Sequence, residues 1–145
     1  MSAAAAEVSV GTELPPLTVH VDRETLVRYA GASGDFNPIH WNPAFAASVG
    51  LPGVIAHGMF TMATAIRVVT DWLGDPSRLI DYGVRFTRPV VVTDAAGSLD
   101  HDGADIEITG KVGAIDPAAG TARVDLTATF DGQTVLGKAR ATVRL

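Results

Sequence analysis

Apolar residues recur at helical spacing up to Leu73, and beyond Leu79 they fall at every second position. The change of period divides the chain. Asp22 is placed to cap a first helix whose Leu26, Tyr29 and Ala30 share one face. The stretch from Phe36 to Gly53 holds Pro38, Pro43 and Pro52. It reads as a loop with room only for a short helix from Pro43 to Ser48, with Pro43 at its first position. Gly58 to Leu73 is the strongest helical segment, with Met59, Met62, Ala63, Ile66, Val69 and Leu73 on one stripe. Its other side carries Ala65, Val68 and Trp72, and only Thr64, Arg67 and Asp71 give it a polar edge. A helix this apolar on nearly all sides is expected to be buried, with Met59 and Met62 in the core. Gly74-Asp75-Pro76 ends it.

The remaining segments alternate. Tyr82, Val84 and Phe86 oppose Gly83, Arg85 and Thr87, while Ile106, Ile108 and Val112 oppose Glu107, Thr109 and Lys111. Val124, Leu126, Ala128 and Phe130 form a third apolar face, and the segment Val135 to Val143 a fourth, set against Leu136, Lys138, Arg140 and Thr142. One apolar face per strand implies an antiparallel sheet lying on a core. Asp131-Gly132 is a two-residue hairpin signal, and Asp116 to Gly120 a longer turn. The expected architecture is α+β: a curved antiparallel sheet wrapped around the apolar helix. Residues 1–9 read as a loose tail and 10–145 as one domain.

Composition narrows the classes. The chain has 145 residues, 47% hydrophobic and 19% charged, enough for one packed core and too apolar for wholesale disorder. A formal net charge of −5 and scattered Lys and Arg exclude a nucleic-acid surface. No apolar run approaches membrane-spanning length, and Met1 to Glu7 lacks the features of a signal peptide. With no cysteine there is neither disulfide nor thiolate chemistry, and a cytoplasmic protein is expected.

Candidate chemistry concentrates in Tyr29-Ala-Gly-Ala-Ser-Gly-Asp-Phe-Asn-Pro-Ile-His40. Gly34 permits a bend before Asp35, and Pro38 pushes Asn37 out of the helical region. Asp35 and His40 are thus set on a shaped loop as a candidate acid/base pair holding a water or hydroxyl. The spacing alone also suits a turn aspartate and a core-edge histidine. His57-Gly58 opens the apolar helix, where free N–H groups and the helix dipole favour negative charge. The Gly58 N–H could stabilise a developing enolate oxygen, or the glycine could simply permit the bend. Asp35, His40 and His57 have metal-ligand chemistry, but no compact metal motif is present, and no metal is expected. His20 and His101 read as surface residues, and no nucleophile elbow appears.

The segment from Tyr29 to Ala46 resembles the hydratase-2 motif of the MaoC-like (R)-specific enoyl-thioester hydratases and dehydratases. Every defining position of Ser33-Gly34-Asp35-x-Asn37-Pro38-Ile39-His40 is filled, and Ala56-His57-Gly58-Met59 follows at the expected distance. Val69 to Pro76 and Tyr82 to Thr87 extend the likeness toward the catalytic B-type subunit of actinobacterial (3R)-hydroxyacyl-acyl-carrier-protein dehydratases. The resemblance implies a hot-dog fold, with Asp35 and His40 as the catalytic pair. It makes Gly58, with His57, the oxyanion and substrate contact, and Ser33 and Asn37 supports of the loop. It implies reversible loss of water from (3R)-hydroxyacyl thioesters without a cofactor.

The substrate would be an acyl-ACP or acyl-CoA, and the assembly a homodimer or a heterodimer with another hot-dog subunit. Other readings are an (R)-specific enoyl-CoA hydratase of β-oxidation or polyester supply, and a non-catalytic partner subunit. Retention of Asp35 and His40 disfavours the partner subunit, and the complete motif disfavours a hot-dog thioesterase. Some short-chain CoA hydratases of the family carry a serine eight residues beyond the glycine, where this chain has Ile66. Arg85 and Arg88, expected in one strand, could meet a carrier's phosphate.

Overall fold

The computed structural model describes residues 8–94 and 102–145. Strand β1 (Leu17–Val21) leads into α1 (Arg23–Ser33), followed by a 3-10 turn at Pro38–His40 and α2 (Pro43–Ser48). Helices α3 (Gly58–Ala65) and α4 (Arg67–Leu73) precede β2 (Leu79–Phe86), β3 (Ala104–Asp116), β4 (Thr121–Phe130) and β5 (Gln133–Arg144). The strands form one antiparallel sheet in the order β1-β3-β4-β5-β2. This is the expected α+β hot-dog arrangement. Among the described residues no helix is long and apolar enough to cross a membrane.

The alternation does what its period requires. Ala104, Ile106, Ile108, Gly110 and Val112 of β3 are buried, with Val124, Leu126 and Ala128 beside them on β4. Each fully buried aliphatic side chain contributes roughly 1.5–3 kcal/mol of transfer free energy, so this shared face supplies most of the sheet's stability. Asp131 (φ 52°) and Gly132 (φ 70°) make the β4–β5 hairpin as expected. Gly110 sets the spacing between helix and sheet. A Cβ there would lie 3.1 Å from the Val68 side chain and 3.3 Å from those of Leu126 and Leu14, so glycine lets α4 settle on β3.

Four details depart from the sequence reading. The apolar helix is two helices, interrupted at Ile66, where the Met62 carbonyl receives both the Ile66 N–H and the Tyr82 hydroxyl. Its first half buries Thr61 and Thr64 rather than the methionines: Met59 is 57% exposed and Met62 only half-buried. Leu136 is buried together with Val135, because Lys138 (φ 48°) bulges out of β5 and shifts the register against β2. Phe86 is exposed, and β2 ends there, so Arg85 and Arg88 do not share a strand. Strand β1 was not assigned from the sequence, although Leu17, Val19 and Val21 alternate with Thr18 and His20. Val8, assigned to the loose tail, packs against the core, whereas residues 1–7 and His101 lie outside the described residues.

Candidate active site

Helix α1 delivers the loop. The Asp22 carboxylate caps it by accepting the Thr25 N–H at 2.7 Å, and Gly34 (φ 75°) turns the chain out of it immediately before Asp35. The next residues are held by a relay of short side chains. Ser33 Oγ accepts the Asp35 N–H at 3.2 Å, Asp35 Oδ1 accepts the Asn37 N–H at 3.1 Å, and Asn37 Oδ1 accepts the Ile39 N–H at 3.2 Å. Each residue caps the backbone two positions on, a local geometry that Ser, Asp and Asn favour. One carboxylate oxygen of Asp35 is thereby committed to the loop, and Oδ2 remains.

The strand-like segment before α3 fixes the other partner. Ile55 and Ala56 lie against Val90 and Val91, and the Ile55 N–H donates back to the Ile39 carbonyl at 3.2 Å. His40 Nδ1 donates to the Ile55 carbonyl at 2.7 Å. That bond assigns the ring proton of neutral His40 to Nδ1 and leaves Nε2 as the acceptor. Nε2 stands 3.7 Å from Asp35 Oδ2, too far for a direct hydrogen bond. A hydroxyl or water at the apex of a triangle with the two would be within reach of both. The pair is unequal in exposure: the His40 side chain is 7% exposed and that of Asp35 52%.

Both open onto a cleft of about 510 Å³ whose wall includes Asn37, Gly58, Thr61 and Phe86. Gly58 begins α3, and no side chain caps that helix end. Its first N–H groups are therefore available to an oxyanion, and the helix dipole adds to the attraction. A Cβ on residue 58 would lie 3.1 Å from the Phe86 ring, so glycine keeps this corner open. Arg88 lines the same cleft and donates to the Thr134 carbonyl at 3.2 Å.

The sequence and the fold have counterparts in known proteins. A profile of the "MaoC like domain" family matches residues 5–112, well over half of the chain. The chain belongs to the MaoC-like family. Its sequence is 41% identical over 87 residues to 3-hydroxyacyl-thioester dehydratase X of Mycobacterium tuberculosis, covering 59% of this chain and 30% of that protein. A solved structure described as a MaoC-like dehydratase superposes with a TM-score of 0.87 at 42% identity, covering 96% of this chain and 41% of that one. The R-hydratase PhaJ1 of Pseudomonas aeruginosa superposes at 0.77 with 26% identity, covering 96% of this chain and 83% of its own. The chain thus spans less than a third of the curated relative it matches and less than half of the first structure.

Within this MaoC-like site, the structure brings Asp35, His40, Ser33, Asn37 and Gly58 together. His57 differs from expectation: it is 1% exposed and lies behind the cleft wall rather than on it. Its ring stacks on His40 at 3.7 Å with the planes 21° apart, and Nε2 donates to the Asp35 carbonyl at 3.1 Å. Burial lowers its proton affinity, and a charge on His40 would act in the same direction; the Asp35 carbonyl and carboxylate oppose them. Asp35, His40 and His57 offer donor atoms within 4.8 Å of one another. Stacked rings keep their in-plane lone pairs from converging, and the Ile55 and Asp35 carbonyls already hold one nitrogen of each. The loop's own bonds leave His40 Nε2, His57 Nδ1 and Asp35 Oδ2 free, so it is the stacking of the two rings that counts against a metal ion here.

Sequence reasoning missed Thr61 and Phe86 in the cleft wall and Ile55 as the anchor of His40. Thr61 lies three positions after Gly58 on the same helix, a helical-spacing signal that was readable. Ile55 acts through its carbonyl, which leaves no mark in the residue type. His20, read as an isolated surface residue, is exposed and pairs with Asp105 at 2.7 Å.

Proposed function

We propose that this MaoC-like chain catalyses the reversible dehydration of (3R)-hydroxyacyl thioesters to trans-2-enoyl thioesters. The observation that carries the reading is the pair of acceptors, His40 Nε2 and Asp35 Oδ2, 3.7 Å apart on a cleft whose wall includes the exposed N-terminus of α3 at Gly58. Dehydration removes a proton from C2 and hydroxide from C3. Between them the two side chains take the C2 proton and give a proton to the departing hydroxyl, so no net proton is left on the enzyme. The thioester carbonyl holds the electron pair as an enolate, whose oxygen meets the Gly58 N–H. Hydration runs the same steps backward, with the pair holding the attacking water. The thioester itself is the electron sink, so the reading calls for no cofactor.

For the substrate we favour an acyl-ACP over an acyl-CoA. Ile66, half-buried at the α3–α4 junction, stands where some short-chain CoA hydratases carry serine; Arg88 at the cleft suits a pantetheine phosphate, which both carriers bear. We also infer a second hot-dog subunit, identical or not. Phe36, Met59 and Phe86 border the site and are 63%, 57% and 56% exposed, apolar surface that a partner would cover.

The test is an ultraviolet assay of purified protein with crotonyl-CoA and longer trans-2-enoyl thioesters. Enoyl absorbance is expected to fall with no free thiol released. Thiol release would make the protein a thioesterase, and no change with any chain length on either carrier would overturn the reading.

A further inference from the structure

Two imidazoles are stacked in this site, and only one of them reaches the cleft. His40 lines the cleft, whereas His57 sits behind it, wedged between the His40 ring at 3.7 Å and the Tyr29 ring at 4.8 Å. It touches the catalytic loop at one polar point, where Nε2–H meets the Asp35 carbonyl at 3.1 Å. Its other ring nitrogen, Nδ1, is buried with no hydrogen-bond partner among the described residues. We propose that His57 is a positioning residue for the Asp35–His40 pair: its Nε2–H holds the Asp35 backbone in place while its ring backs the His40 imidazole. This rests on the dehydratase reading of the same site.

Histidine meets three demands here at once. The Ser33–Asp35–Asn37 relay fixes the shape of the loop but ties it to nothing outside itself. His57 supplies a tie from Asp35 to the start of α3, where Gly58 also begins. A flat ring is needed to lie against His40, which on its edge is held by the Ile55 carbonyl. The ring must also stay uncharged, because His40 passes through its cationic form whenever it takes a proton. Burial keeps His57 neutral, so the two rings do not carry like charges together. A phenylalanine would fill the same space without an unpaired nitrogen, whose burial is destabilising. What phenylalanine lacks is the N–H at the ring edge.

The experiment compares His57→Phe, which keeps a flat ring, with His57→Gln, whose amide N–H can reach the Asp35 carbonyl. With a trans-2-enoyl thioester, His57→Phe is expected to lower kcat about 10- to 100-fold with KM within about twofold of wild type, and His57→Gln, which restores the N–H but not the ring, to recover part of that loss, as befits a group that places a reacting residue. Amide exchange at Asn37 and Ile39 is expected to quicken in His57→Phe and not in His57→Gln. Wild-type kcat in His57→Phe would overturn the proposal, as would a loss carried by KM or a glutamine variant no better than phenylalanine. If the wild-type protein turned over no thioester, the dehydratase reading would fall separately. Unchanged loop exchange in His57→Phe would then still overturn the clamp.

Discussion

Strands β3 and β4 and the loop from Ser33 to His40 are held together by opposite means. In the strands, Ile106, Ile108, Val112 and Val124 are at most 1% exposed, and the sheet stands on burial. In the loop, Ser33 to Asn37 are all exposed, and short polar side chains hold the backbone. Where burial holds the fold and hydrogen bonds hold the site, stability and chemistry can be damaged separately. A substitution in one region should leave the other's property nearly intact.

The largest effect expected is on the site side. Asp35→Asn or His40→Ala should lower kcat by roughly 10²–10⁴, the scale of lost acid/base catalysis. Asp35→Asn keeps an oxygen to accept the Asn37 N–H, so the loop's relay survives and the thermal midpoint should stay within a few degrees. Wild-type rates in both variants, measured by enoyl absorbance, would remove the pair from the mechanism. The counterpart on the sheet is Ile108→Ala. Ile108 is 1% exposed and pairs with both Leu17 and Ala128, so its truncation should cost about 2–5 kcal/mol in denaturant unfolding. The kcat of the molecules that remain folded should be unchanged. A matching loss of kcat per folded molecule would show that sheet and site are not separable.

A smaller effect is expected where the two regions meet. In Gly58→Ala the new methyl would stand 3.1 Å from the Phe86 ring at the end of β2. Phe86 is 56% exposed and can swing away, so the fold should tolerate the change. The corner of the cleft that the thioester oxygen would occupy narrows, and kcat/KM should fall about tenfold, as for a small misplacement of a reacting group. A fall in thermal midpoint with no fall in kcat/KM would make Gly58 a packing residue only.

The same division explains what could be read in advance. Helix α1 with its Asp22 cap, α2 from Pro43, the Asp131-Gly132 hairpin and the alternating strands follow from local rules of spacing and turn chemistry, and they appear where those rules put them. That Asp35 and His40 would meet was legible because both side-chain types suit proton transfer, and the two do face one cleft. The errors arise where a distant backbone group decides. Tyr82 donates to the Met62 carbonyl at the helix break, twenty residues away, and nothing in the helix's own pattern announces it. The bulge at Lys138 reverses the alternation of β5 for reasons of sheet register, which a period of two does not encode. His57 was assigned to the cleft because it precedes Gly58. Its actual partner is a carbonyl 22 residues earlier, invisible to residue identity.

The smallest effects lie in the pH dependence of stability, and they distinguish buried groups by sign. Burial raises the Tyr82 hydroxyl to about 12, so the folded state keeps its proton longer than the unfolded chain does. Its stabilising contribution is complete below the unfolded value near 10 and is lost as pH rises toward 12; Tyr82→Phe should flatten that alkaline decline. His57 acts in the other direction. Its proton affinity is lowered from the ordinary value of 6.5, chiefly by burial, so below that pH the unfolded chain binds a proton that the folded protein resists. Stability from this group is therefore complete above about 6.5 and declines as pH falls below it. Carboxylates also weaken the fold in acid, which makes the difference between variants the informative quantity. Between pH 7 and 5, the thermal midpoint of His57→Gln should fall by a few degrees less than that of wild type, since glutamine has no proton to take up. Equal slopes would mean that His57 takes up a proton in the folded state as readily as in the unfolded chain. The stacked ring would then become a cation in acid, and its neutrality beside His40 could no longer be part of the site's design.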